Sequence, residues 1–424
     1  MNKLKQAWEF LFGNVMWLYI LMGALSWAGI YPMTFQILMI FGFLYSLALL
    51  PKYHVSNFLD LSIVVLMIYV LINAALSNYP HQFKCLKDDM MFTVMPLSFY
   101  FIAKTTRNNI DVYIEKMIIP MLIAMSIGVI LYVVNPPWYT AAKYAILASG
   151  YGYTSGIAPD EIMKEVFELS SIWKTSYVIG YSNSFFILFI LIQLLSGKIC
   201  GKKKIYYLIL FTLSVSVLIL SGFRSIMLGF VLSLLAIFCL SDNKKAKIKI
   251  FWWGGVLILA TAYVMLSISP DYYEIFTKGF SDLSSETGLL SRFEFVSKGI
   301  QLDTEFGDGF GHHGMGMKNI NNDMFIEDSQ FIKILAELGY VGLFLFIIFI
   351  VIAGITALRA NCVLELCILI TFTVTFIGAS SLSAETTFPF IFWYTIGCIS
   401  RKASRIHKNV SVPQRGGKLI LQNN

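Results

Sequence analysis

Two arginines in this chain stand where folding alone gives them little reason to be. Arg224 lies in SGFRSIML, a turn of a few residues between two long apolar runs. A charged side chain at a membrane edge is costly and tends to be functional. The plainer reading is an arginine that snorkels to lipid phosphate. Arg292 opens a predicted helix in SRFEFVSKG, where Ser291 and Glu294 form a capping box and a helix over about 292–302 follows. The helix dipole disfavours a cation in that first turn. An arginine there points to an anionic ligand, unless it simply pairs with Glu294 or Asp303. Lys298 is a second cation in the same string.

The same loop carries groups that can move a proton. Glu327 and Asp328 precede an apolar helix in EDSQFIKILAELGYVGL. Asp328 is a good helix cap and equally a candidate base or acceptor-binding group, with Glu327 as its nearest substitute. His312 and His313 sit in the run GDGFGHHGMGM from Gly307. Imidazole titrates near neutrality, which suits a base, although exposed loop histidines are the plainer reading. The glycines predict a mobile turn near a substrate. A nucleotide-type phosphate cradle needs a preceding strand, and none is readable. HExxH, CxxC and Asp-x-Asp are absent, so no metal and no cofactor are expected.

These residues need elements to place them, and the composition names the class. Of 424 residues, 57% are hydrophobic and 13% charged, against roughly 25% charged in a soluble domain. Apolar runs predict membrane spans at 11–30, 33–50, 61–77, 90–103, 116–134, 177–196, 205–221, 226–240, 251–268, 338–357, 363–379 and 388–400. The 90–103 and 226–240 runs are short and open to a small tilt or a partly re-entrant reading. The expected fold is all-α, a polytopic helical membrane protein of about twelve transmembrane helices. Cytoplasmic loops retain Lys and Arg. With the N-terminus inside, 21 of the 32 basic residues fall on the inner side, including GKICGKKK and SDNKKAKIKI. Both termini are then cytoplasmic.

Helices 1–5 occupy 1–134, a periplasmic loop 135–175, helices 6–9 176–268, a larger periplasmic loop 269–337, and helices 10–12 338–400. The basic tail 401–424 is expected to be disordered and in contact with lipid. The first apolar run follows Lys3 and Lys5 but is too long for a signal peptide, so it is expected to stay as an anchor. The net charge of +7 sorts to the inner membrane face, where anionic lipid attracts it, and does not imply nucleic acid. Glu365 is expected to snorkel or pair near Arg359. The six cysteines are scattered, and no disulfide is expected.

The stretch from Asp328 through Gly339 to Gly342, behind a large outer loop, resembles the signature region of the Wzy-type O-antigen polymerases, of the O-antigen ligase and polymerase superfamily. Arg224 and Arg292 are lesser matches. The ligase branch has a histidine where this stretch begins; Asp328 here favours polymerase. The 135–175 loop lacks the arginine often found there, and Lys143, Lys164 or Lys174 could substitute.

The resemblance implies an inverting, metal-independent glycosyltransferase in a bacterial inner membrane. It would join undecaprenyl-pyrophosphate-linked oligosaccharides, with a chain-length regulator as a possible protein partner. Arg224 and Arg292 would stabilise the departing pyrophosphate, and Asp328 would take the acceptor proton. Glu327, His312, His313 and Lys298 would contact substrate. The competing readings are O-antigen ligase and a lipid-linked oligosaccharide flippase.

Overall fold

The computed structural model describes residues 2–27, 34–150, 176–196, 199–222, 224–240, 304–318, 329–378 and 388–411, with single residues and short runs between them. Arg292, Lys298, Glu327, Asp328 and most of the predicted span 251–268 and of 151–175 lie outside the described residues.

The described chain is all-helical. Four helices are long and apolar enough to cross a membrane: Phe58–Leu76, Val178–Leu195, Gly201–Leu220 and Gln330–Arg359. Two bent pairs raise the number to six. Lys3–Gly13 and Val15–Leu25 meet at 55°, and Ile110–Lys116 and Ile118–Val134 meet at 50°. Shorter apolar helices cover Ile37–Lys52, Ser225–Leu240 and Val363–Gly378. Leu61, Val65, Ile68, Phe344, Ile347 and Val351 are among many large apolar side chains left exposed on these helices. Such a belt is stable in lipid and a liability in water, so the chain is a membrane protein.

Several expectations change. The 90–103 run is the end of a longer irregular rod. An α-helix over Gln82–Asp89 passes through a π turn at Met90–Val94 and a 3₁₀ turn at Met95–Leu97 into Ser98–Thr105. Pro96 lacks the amide that a regular helix would use there. The 135–175 loop holds a helix at Pro137–Gly150, with proline at the one helical position that suits it. Lys143 on that helix is wholly buried.

The tail is helical well past Ser400, in Phe388–Ser411. Arg401 turns inward and donates to the carbonyls of Ala103 at 2.7 Å and Asn108 at 3.0 Å, and to that of Thr106. It closes the C-terminus of Ser98–Thr105, where free carbonyls attract a cation. Glu365 pairs with Lys402 at 2.6 Å, not with Arg359.

One buried carboxylate ties this end together. Asp60 sits in the first turn of Phe58–Leu76 and forms a capping box with Asn57. Its carboxylate accepts from the Ser56 amide at 2.7 Å and from Tyr100, Ser400 and Lys104. Three helices converge on it. Removing one member of a buried ion pair leaves the other uncompensated. Asp60→Ala is expected to destabilise by roughly 3–5 kcal/mol, read by thermal unfolding in detergent. An unchanged midpoint would mean that Lys104 finds water there.

Candidate functional site

At the opposite end of Phe58–Leu76, the large loop meets a broken helix. The Gln330–Arg359 helix has a non-helical residue inside it, Gly339, at φ 67° and ψ −170°. That conformation belongs to glycine. The break separates Tyr340 and Val341 from the carbonyls they would normally reach, Ala336 and Glu337. The loop takes over on both sides. Asp308 N donates to Ala336 O at 2.8 Å and Gly309 N to Glu337 O at 3.1 Å. Tyr340 N donates to Thr304 O at 3.2 Å and Val341 N to Glu305 O at 3.3 Å. Tyr69 supplies its hydroxyl to Leu338 O at 2.7 Å. Two lost helical bonds are replaced by four loop bonds, which is how a buried break keeps its backbone groups paired.

The clasp needs glycine on both faces. A Cβ at Gly307 would lie 2.4 Å from Glu337 O, and one at Gly339 would lie 2.3 Å from Glu305 O. The Gly-rich run is therefore a packed strap, not the mobile turn expected. Asn73 holds it by donating to Phe306 O at 2.7 Å and accepting from Phe310 N at 2.8 Å. The Tyr79 hydroxyl donates to Phe310 O at 2.8 Å, and burial holds that hydroxyl far above its usual pKa.

A buried polar cluster forms beneath the strap. Lys333 Nζ lies 2.8 Å from Asp89 Oδ1 and 3.7 Å from Glu337 Oε1, all three side chains being 3% exposed or less. The His313 amide donates to Glu337 Oε1 at 3.1 Å. The His313 ring is wholly buried between Met324 O and Asp308 Oδ2, each 2.8 Å from a ring nitrogen. His312 stacks on Tyr79 with centroids 4.4 Å apart. Burial, then the neighbouring His313, pushes the His312 pKa down, against a weaker pull from Asp308. Gly314 is pressed so close to Asp89 that a Cβ would overlap its carboxylate.

Beside Lys333 and Glu337 is a cavity of about 110 Å³. Its walls are mainly apolar, with Ile63, Met67, Leu97, Leu382 and Trp393 among them, and Gln330, Lys333 and Glu337 supply a polar end. No protein-family model and no curated protein matches this chain.

Of the expected site residues, Arg224 is placed by its backbone, as the first residue of Arg224–Leu240. That helix packs on Val363–Gly378 through small residues, which permit close approach. Ser233 donates to Cys367 O at 2.9 Å, and a Cβ at Gly229 would lie 3.0 Å from Thr371 Cα. These pairs step antiparallel, four residues at a time. Continued by one turn, the register sets Arg224 level with Phe376. Phe376 O accepts from Ser329 Oγ at 3.2 Å. The helix start of Arg224 and Ser329 are thus at the same depth, although about a hundred residues apart.

Ser329, not Asp328, is the N-cap, its hydroxyl accepting from Ile332 N at 3.4 Å. Asp308 and the Asp89, Lys333 and Glu337 cluster were missed by sequence reasoning. A lysine and a glutamate four apart inside FIKILAELG, and paired aspartates before an apolar run, were the available signals.

Gly339→Ala is expected to cost roughly 3 kcal/mol or more from strain and overpacking. Gly354→Ala in the same helix, where nothing lies within 4 Å, should be neutral or slightly stabilising. Equal thermal stability of the two variants would remove the clasp.

Proposed function

We propose that this chain polymerises undecaprenyl-pyrophosphate-linked oligosaccharide repeat units by inverting glycosyl transfer at the periplasmic face of a bacterial inner membrane. The observation that carries the reading is the apolar cavity with a polar end at Gln330, Lys333 and Glu337, directly after the Glu327–Asp328 stretch in sequence and level with the start of the Arg224 helix. A lipid-linked substrate needs an apolar wall for its chain, which this cavity offers, and cations for its pyrophosphate, a role the proposal gives to Arg224 and Arg292.

In the proposed reaction the acceptor hydroxyl oxygen attacks the anomeric carbon of the donor. Its proton passes to Asp328. The bond from that carbon to the pyrophosphate oxygen breaks, and both electrons leave with the lipid pyrophosphate. Arg224 and Arg292 stabilise the charge that develops there. The lipid pyrophosphate already holds the energy, so no nucleotide is needed. The helix cap itself is Ser329, so the role proposed for Asp328 is separate from capping.

The proposed topology has twelve spans, both termini cytoplasmic and 269–337 outside. Cysteines placed at Ser284 and Asn243 should react with an impermeant thiol reagent from opposite sides of the membrane. Labelling from one side only would sink the map.

Transport is the second reading, favoured by the buried Asp89–Lys333–Glu337 network, since buried ionisable residues in polytopic membrane proteins often serve proton coupling. A glycan ladder separates the alternatives. Loss of a polymerase leaves one repeat unit on the lipid core. Loss of a ligase leaves the core bare while lipid-linked polymer accumulates, and loss of a flippase leaves the core bare without such polymer.

In the same assay, Arg224→Ala and Arg292→Ala should each lower polymer by on the order of 10²-fold, with only partial rescue by Lys, a point charge in place of a planar fork. Asp328→Asn should abolish polymer at a normal protein level. Full activity in any of these would remove that residue from the site.

A further inference from the structure

The strap holds three groups, Asp308, His312 and His313, that take no chemical step in the proposed transfer; the two histidines, expected from the sequence to contact substrate, are instead packed into the strap. His313 Nδ1 lies 2.8 Å from the carbonyl oxygen of Met324. A carbonyl only accepts, so Nδ1 carries the hydrogen. In the neutral ring the lone pair is then at Nε2. Asp308 Oδ2 is 2.8 Å from that lone pair. Two acceptors facing each other at this distance require a positive centre, either a proton or a metal ion. His312 stands next to them, with a buried Nδ1 that has no hydrogen-bond partner among the described residues. One ligand atom from each of Asp308, His312 and His313 lies within 4.8 Å of the other two.

We propose that Asp308, His312 and His313 bind a divalent transition-metal ion of the zinc class. Two imidazoles and one carboxylate suit zinc, which often takes three protein ligands and a water. Each ligand is already oriented by a neighbour, as metal sites require. Met324 O fixes the His313 tautomer, Tyr79 stacks on His312, and the Asp308 amide is fastened to Ala336 O at 2.8 Å. The intervening glycines, Gly309 at φ 112° and Gly311 at φ 87°, fold the chain so that residues 308 and 312 face one another. Asp308 is 25% exposed while His313 is fully enclosed, which leaves the carboxylate side open for entry. The ion fastens the strap that clasps Gly339. This role is independent of glycosyl transfer and survives if the polymerase reading fails.

The test uses the full-length chain without a polyhistidine tag, purified in detergent, stripped with chelator and titrated with Zn²⁺ by calorimetry and with Co²⁺ by visible absorption. One ion per chain is expected, with a tetrahedral Co²⁺ spectrum and a rise in the unfolding midpoint on adding Zn²⁺ but not Mg²⁺. Asp308→Asn and His312→Gln should each weaken Zn²⁺ binding by at least the roughly 10–100-fold that loss of even an outer ligand partner costs. His312 is only half-buried, so its variant is the one expected to fold normally. No stoichiometric binding to the wild-type chain would overturn the site and leave a proton between His313 and Asp308. Binding of unchanged strength in a folded His312→Gln protein would equally overturn it.

Discussion

A helix broken inside a membrane protein must find partners for the backbone groups it frees, and here one loop supplies them. Gly339 interrupts the Gln330–Arg359 helix, and the Thr304–Gly309 segment takes up its amides and carbonyls. Buried backbone groups must be paired within the protein. Everything at this end of the molecule follows from that exchange. It brings the strap down onto Asn73 and Tyr79. It buries His313 against Glu337. It also presses Gly314 onto Asp89, whose other oxygen meets Lys333. Glycine at 307 and 339 is a steric condition of the clasp, because two backbones approach within the space a methyl group would need.

The two ends of Phe58–Leu76 are built on different physics. At one end Asp60 is a single buried acceptor for three helices, saturated by donors and paired with Lys104. At the other, Asn73 and Tyr79 bind loop backbone, and the charges lie farther in, with one lysine between two carboxylates. Buried charges are retained only when paired or hydrogen-bonded. The first arrangement is closed and needs nothing further. The second borders a cavity, and there one lysine already answers two carboxylates, so the cluster has no positive charge to spare.

Between these ends, apolar helices with exposed leucine, isoleucine and valine carry the load. Packing among them relies on small residues. Gly229 and Ser233 against Thr371 and Cys367 bring two short helices close enough for side chains to bond backbone. This contact sets the depth of the Arg224 turn relative to Ser329.

The sequence by itself determined the class and much of the helix inventory. Apolar runs of span length have few alternatives, and Phe58–Leu76, Ser176–Leu195, Gly201–Leu220, Arg224–Leu240 and Val363–Gly378 fall close to where hydropathy puts them. It also singled out the stretch from Asp328 to Gly342 and the histidine pair. Other features were decided only by tertiary structure. Whether a glycine in an apolar helix eases packing or breaks the chain depends on what approaches it. Gly342 packs against Tyr69, while Gly339 turns to φ 67° because a loop is there to receive it. The Asp308-x3-His-His spacing had no metal-like reading until two positive-φ glycines curled it. Asp89 and Lys333 are 244 positions apart, and neither shows in sequence which charge it will meet. Local pattern reports which face is greasy; it cannot report long-range pairing, because burial and partner choice are properties of the packed chain.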